Sequence, residues 1–277
     1  MKKSGHTHLF AWIAATALIL AAAAGAVWVR NAGRTDAPVS DGSLQKILNS
    51  GRLVLGVDAN FPPMSFVEED EDIVGFDVDM FREVCKRLGV ELIRRSIDWD
   101  DKEEELNGGT IDCIGSMSVT PESARVMNLS EPYIKETLTF VVPGNSSARW
   151  LRDLKGRKIG VQAGSTTQEA LEKLDIYKDI TPVLFDDNLT ILRQLKTGDL
   201  DAGLVDSVAA YYFIYSSSER YFFLPENLGE EKFAIGFRKN DKELRNRVQE
   251  ILSEMKADGS LGKISKKCFG SDITIVR

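Results

Sequence analysis

Two apolar rhythms alternate along this chain. "GRLVLGVDANFPP" (Gly51–Pro63) opens with a short apolar run of strand character and ends in a polar, proline-stiffened loop. "GFDVDMFREVCKRLG" (Gly75–Gly89) then changes period: Val78, Phe81, Cys85 and Leu88 recur at helical spacing, and Gly89 closes the pattern. Between them, "VEEDEDIV" (Val67–Val74) reads as a solvated hairpin turn, since its acids lack the order of a calcium loop. "GRKIGVQAGSTTQEAL" (Gly156–Leu171) repeats the first plan: Gly-Arg, a short β run, then a loop that opens a helix. "LNGGTIDCIGSMS" (Leu106–Ser118) is echoed by "LKTGDLDAGLVDS" (Leu195–Ser207), each passing from a helix end through glycine into a buried strand. Towards the C-terminus a helix is predicted from Lys242 to Asp258, with Leu244, Val248, Ile251, Leu252 and Met255 on one buried face.

Strand–helix–strand units of this length favour parallel sheets covered by helices. Two copies predict two α/β lobes of related design. Ligands of open α/β sheets bind beyond the carboxyl ends of the strands. Those ends fall at Asp58–Phe61 and at Ser116, Met117 and Ser118 in one half, and at Gln162, Ser165, Thr166 and Asp206 in the other. Four loops facing one another predict a cleft. Taken singly, each residue has a second reading: Asp58 and Asp206 as turn or helix caps, Phe61 as plain core, Ser165 and Thr166 as the cap of the following helix. Beside the stiff Pro62-Pro63 loop, Phe61 also suits a platform under a ligand. Trp99, among Asp98, Asp100 and Asp101, fits either the cleft edge or an acidic surface loop.

Ahead of these elements, Lys2 and Lys3 precede an uncharged run from Leu9 to Val29, which marks a targeting segment and not part of the fold. Residues 1–34 are assigned as a signal peptide or membrane anchor and 35–43 as a linker. Small-residue sites such as Ala24-Gly25-Ala26 favour cleavage, although the run is long enough to span a bilayer uncut. Either way the remainder is expected to be exported, to the periplasm or the outer face of the cytoplasmic membrane. The formal net charge of −7 becomes more negative without the two leader lysines, so nucleic acid and anionic lipid are poor partners.

Both histidines, His6 and His8, lie in the leader, which removes Ser-His-Asp and Cys-His nucleophile pairs and histidine metal sites from the rest. Neither a phosphate-loop nor a dinucleotide fingerprint occurs. The three cysteines match no zinc spacing. Cys85 fits the apolar stripe of its helix, while Cys113 and Cys268 either pair in an oxidising compartment or stay apart. No catalytic residue, metal or cofactor is expected.

In "SVTPESARVMNLSEPY" (Ser118–Tyr133), Thr120 and Pro121 read as the cap and first position of a helix whose free N–H groups could seat an anion. Its first turn carries Ser123 and no cation. Arg125 comes two residues later, about 200° around the helix and so on the opposite face.

Together "GRLVLGVDANFPPMSF", "VGFDVDMFREVCKRLGVEL", "LNGGTIDCIGSMSVTPE", "LSEPY", "LKTGDLDAGLVD" and "DGSLGKISKKCFG" resemble the extracellular solute-binding proteins of the polar amino-acid type, the periplasmic partners of ABC importers. The resemblance covers Leu44 to Ile273 in the family's order. It implies a two-lobed type II periplasmic-binding-protein fold, each lobe a mostly parallel sheet flanked by helices. The first lobe would take residues 44–138 and 234–277, and the second 139–233, with a hinge between them. It further implies that Asp58 and Asp206 hold a ligand ammonium and Phe61 lies against the ligand. Ser116, Ser118, Ser165 and Thr166 would meet an α-carboxylate, beside an arginine three residues after the threonine of T-P-E-R. Here Ser123 stands at that position, so the pocket keeps two acids and lacks its usual base. A cationic or amine-bearing ligand with a weak carboxylate requirement is therefore expected, captured by a monomer and passed to an ABC permease. The rival readings are a cyclohexadienyl or arogenate dehydratase on the same scaffold, with Glu122 as its acid, and a membrane-tethered sensor if the leader is retained.

Overall fold

The computed structural model describes residues 40–68, 72–216, 220–226 and 228–277. The leader, most of the linker and the tip of the acidic hairpin lie outside the described residues. Helix α1 (Ser43–Ser50) packs Ile47 inward and ends at Gly51, whose φ of 66° places it in the left-handed region that closes a helix. Strand β1 (Arg52–Val57) follows and runs buried from Leu53 onward. A small three-stranded sheet, β2 (Asn60–Phe61), β3 (Ser65–Val67) and β4 (Ile73–Val74), comes next. The β3–β4 pairing is antiparallel, and the Glu68 N–H donates to the Asp72 carbonyl at 3.0 Å, while the turn expected at residues 69–71 lies outside the described residues. Helix α2 (Phe76–Leu88) buries Phe76, Val78, Met80, Phe81, Val84 and Cys85 and stops at Gly89.

The main sheet shows the repeat in three dimensions. β1 lies between β5 (Glu91–Ser96) and β6 (Cys113–Ser118), parallel to both. In the second half β9 (Lys158–Gln162) lies between β10 (Thr181–Phe185) and β11 (Ala202–Asp206), again parallel to both. Each triplet has an antiparallel strand on its inner side, β13 (Glu230–Arg238) beside β6 and β8 (Ile134–Pro143) beside β11. Those two strands then pair with each other through Ile134–Thr137 and Glu230–Phe233. With β12 (Tyr221–Phe223) paired to the far end of β8, one ten-stranded sheet results, and its order β10-β9-β11-β8-β13-β6-β1-β5 reads alike from either end. At Leu138 strand β8 exchanges β13 for β11 as its partner, and beyond Phe233 strand β13 pairs with β6 and with β7 (Met127–Leu129).

Helices fill the two halves. In the first, α3 (Lys102–Gly108), α4 (Pro121–Val126), α8 (Lys242–Ala257) and α9 (Ser260–Phe269) join α1 and α2. In the second stand α5 (Thr166–Glu172), α6 (Asn188–Thr197) and α7 (Ser207–Ser216). The face predicted for α8 is the buried one: Leu244, Val248, Ile251, Leu252 and Met255 all lie in the first core. Cys85 and Cys113 are buried in that same core, and Cys268 on α9 packs at its margin. All three thiols are free, which corrects the suggested Cys113–Cys268 pairing: Cys113 is enclosed beside Cys85, and both thiols are shifted upward by burial, to about 12 for Cys85. Replacing Leu252 by alanine leaves a cavity that neighbouring strands cannot collapse into, and is expected to cost about 2–5 kcal/mol in denaturant unfolding.

Candidate functional site

The predicted strand ends do converge. Asp58, Phe61, Trp99, Ser116 and Ser118 from the first half line one small cavity with Gln162, Ser165, Thr166 and Asp206 from the second, together with Phe233 of β13. A larger cavity of about 540 Å³ lies at Pro63, Val208, Tyr211, Tyr212 and Phe269, but its walls are apolar and no charged side chain lines it. Converging polar groups distinguish a recognition site from a packing defect, which selects the smaller cavity.

Asp58 follows β1 and is 8% exposed. Its Oδ1 accepts from the Asn60 N–H at 2.8 Å, the turn-capping contact, and its Oδ2 accepts from Gln162 Nε2 at 2.7 Å across the cleft. Asp58 thus caps its own turn and also lines the cavity. Burial pushes its carboxyl up to about 6, partly offset by those hydrogen bonds and reinforced by Asp187 and Asp98. Asn188, at the start of α6, donates from Nδ2 to Gln162 Oε1 at 3.1 Å and to Asp206 Oδ2 at 3.0 Å. A row of two amides thus links the two acids. Asp206, last in β11, is raised well above the ordinary carboxylate range by burial and by the negative charge of Glu231.

Ser116 is held by a different device. In the β6–β13 register Ala234 meets Met117 and Gly236 meets Ile114, so Gly115 and Ser116 together oppose Ile235 in a bulge. Ser116 adopts φ 50°, a strained choice for a residue with a Cβ. Its N–H donates to Tyr133 Oη at 2.8 Å and its Oγ donates to Asp77 Oδ2 at 2.7 Å, while Tyr133 Oη donates to Asp77 Oδ1 at 2.7 Å. Asp77 is fully buried, and desolvation pushes it up to about 7 against the two hydrogen bonds. Gly115 is required beside it, because a Cβ there would lie 2.5 Å from Asp77 Oδ2.

Two predicted members stand elsewhere. Met117, alternating with Ser116 and Ser118, points to the other face of β6 and packs with Ile97, Leu106, Ile111, Ile114 and Met127. Ser123 is absorbed by its own helix end. Its Oγ donates to the Ser118 carbonyl at 2.7 Å and accepts from the Thr120 N–H at 3.0 Å, while Thr120 Oγ1 accepts from the Ser123 N–H at 3.0 Å. This reciprocal cap satisfies the turn and leaves no basic group. Arg125 is largely exposed and paired with Glu122 on the outer face. Ser165 caps α5, accepting from the Gln168 N–H, and lines the cavity as well.

The cleft is drawn together by further contacts: Lys102 Nζ donates to the Gly164 carbonyl at 2.9 Å, and Ser118 Oγ lies 3.4 Å from Thr166 Oγ1. Lys102 also sits 5.3 Å above the Trp99 ring, which places that tryptophan at the cavity wall. Phe233 meets Phe61 edge to face at 5.8 Å. Sequence reasoning missed Phe233, Asn188 and Asp77. Only the position of Phe233, where the returning strand was expected to cross, hinted at it.

Two halves built alike around a sheet with two crossing strands, and a polar cleft where their strand ends face, define a two-lobed periplasmic-binding-protein fold of type II. Residues 53–271 match the model of the bacterial extracellular solute-binding proteins, family 3, and the chain belongs to that family. It is 30% identical to the L-cystine-binding protein TcyJ of Escherichia coli strain K12, over 84% of this chain and 88% of the relative. It is 31% identical to the arginine-binding extracellular protein ArtP of Bacillus subtilis strain 168, over 79% and 86%. Among solved structures, Tv2483 bound to L-arginine aligns with a TM-score of 0.82 at 30% identity, covering 86% of this chain and 98% of its own. A substrate-binding protein of an ABC uptake transporter from Streptococcus pneumoniae, with bound histidine, aligns at 0.81 and 31%, covering 85% and 99%.

Asp77 makes a testable contribution to stability. Its native carboxyl titrates near pH 7 and its unfolded one near 3.8. Between those values the native state holds the extra proton, so this group favours the fold most at acid pH and that stability is lost as pH rises to about 7. Subtracting the unfolding profile of Asp77→Asn from that of the unaltered protein should leave a difference that falls across pH 4–7 and is flat above it.

Proposed function

We propose that this protein captures a small amine-bearing solute, an amino acid or a related amine, between its lobes and delivers it to the permease of an ABC importer. The observation that carries this is the convergence of Asp58 and Asp206, from opposite halves, on a cavity whose lining among the described residues includes no lysine or arginine. A cation satisfies both acids, and a cation that touches both lobes stabilises the closed form over the open one. Arginine, histidine and cystine, the ligands named for the relatives and neighbours, all carry an ammonium. The lobes divide where β8 changes partner near Leu138 and where β13 returns at Phe233. The protein acts outside the cytoplasm, as a monomer, and carries out no chemistry on its ligand. Glu122, the acid a dehydratase would need, is exposed and paired with Arg125, away from the cavity.

The same geometry sets selectivity. Phe61, Phe233 and Trp99 supply faces and edges for the body of the solute. The hydroxyls of Ser118 and Thr166 offer hydrogen bonds to a carboxylate but no charge, while those of Ser116 and Ser165 already donate to Asp77 and to the Gln162 carbonyl. Without a charge-assisted arginine contact, carboxylate binding is weaker by about 1.5–3 kcal/mol, so decarboxylated amines compete well with their parent amino acids.

Calorimetry over paired amino acids and amines tests this: comparable affinities within each pair are expected, and strict dependence on the carboxylate would exclude the reading. Asp58→Asn and Asp206→Asn should each abolish measurable capture. Ser123→Arg should restore roughly 10- to 150-fold in affinity for ordinary amino acids, while the lost cap costs about 1 kcal/mol of stability. An unchanged affinity in that variant would mean another group already clamps the carboxylate. Because Asp58 titrates near 6 and a cation needs its ionised form, affinity for an amine should weaken as pH falls through that value.

A further inference from the structure

Beneath the cleft, Asp206 stands beside two further acids, Glu136 and Glu231, that ligand capture does not use. Glu136 on β8 and Glu231 on β13 stand directly opposite each other in the short antiparallel stretch that joins the two halves. Asp206 ends β11 beside Leu138, two residues along β8. One carboxylate oxygen from each of the three lies within 4.8 Å of the other two. All three residues are more than nine-tenths buried. The neighbouring bases turn away: Lys135 is exposed and pairs with Glu230, and Lys232 is exposed on the opposite face of the strand.

Like charges opposed across a strand pair destabilise it, and burial magnifies the penalty. Two oxygens make the demand specific. Glu136 Oε1 and Glu231 Oε2 are buried and accept no hydrogen bond. Two other oxygens are committed: Glu136 Oε2 accepts from the N–H and Oγ of Ser207 at 2.7 and 2.9 Å, and Asp206 Oδ2 accepts from Asn188. These contacts fix the carboxylates in place and leave their free oxygens without a positive partner.

We propose that Glu136, Asp206 and Glu231 form a divalent-cation site at the crossing strands, suited to a hard ion such as calcium or manganese. The donor set is oxygen alone, which favours such ions over zinc or copper. Oxygens held about 2.3–2.6 Å from one ion stand no more than about 5 Å apart, as this trio does. Ser207 and Asn188 supply the outer hydrogen bonds that orient metal-binding carboxylates. Since Asp206 also lines the cleft, the ion would stand between the ligand seat and the strands about which the lobes turn.

The test uses the full chain, treated with chelator and free of amine ligands. Calcium, magnesium and manganese are titrated at constant ionic strength and neutral pH, following melting temperature and the electron paramagnetic resonance of free manganese. Saturable uptake of one ion per chain is expected, with a melting temperature that climbs with ion concentration. Glu136→Gln and Glu231→Gln keep the side-chain shape and should each weaken uptake at least tenfold while remaining folded. Absence of uptake at millimolar ion overturns the proposal and leaves the acids sharing protons. Equal uptake in both variants overturns it too, by placing the ion elsewhere.

Discussion

Two buried carboxylates, carried by different halves of one sheet, approach each other with only amides between them. Burial holds both above the ordinary carboxylate range, and Asp206 also feels the charges of Glu231 and Asp58. The fold tolerates the arrangement because Asn60, Gln162 and Asn188 supply donors to each acid. Donors stabilise a carboxylate without cancelling it. A solute that brings a full positive charge therefore gains more here than in water, and gains most when it meets both acids at once.

The sheet explains how such a pair can be both built and opened. Its order is the same from either end, so each half presents the end of a central parallel strand to the other. Among the described residues β8 and β13 are the strands that cross between the halves, and four residue pairs join them. The crossing strands also belong to the cores: Ile134, Phe233, Ile235 and Phe237 pack in the first, and Leu138, Phe140 and Val142 in the second. Gln162 reaching Asp58, and Lys102 reaching Gly164, show the halves in contact. The pairing of these two strands changes partner at definite residues, Leu138 on β8 and Phe233 on β13.

Much of this was legible before any coordinates. The repeated Gly-Arg strand plan predicted two related halves because it encodes the same parallel triplet twice. The strand ends at Asp58, Ser116, Ser118, Gln162, Ser165, Thr166 and Asp206 were recoverable because ligands of α/β sheets gather there. Met117 was misplaced by strand alternation, which turns every second residue into the core. The Ser123 hydroxyl serves the helix cap and not the cleft, because the Ser118 carbonyl and the Thr120 N–H stand within its reach. Asp77, Glu136 and Glu231 stayed hidden for a different reason. Each is buried through partners distant in sequence, Tyr133 and Ser116 for the first and a cross-strand neighbour for the other two, and no local pattern announces a carboxylate pointing inward.

The central claim is that one positive group bridges the two acids and shuts the lobes. A crystal structure grown with a saturating cationic amine tests it most directly. The account predicts an ammonium or guanidinium nitrogen within hydrogen-bonding distance of both Asp58 and Asp206, with the lobes closed on it. A solute lodged away from either carboxylate, or bound with the lobes apart, would contradict it.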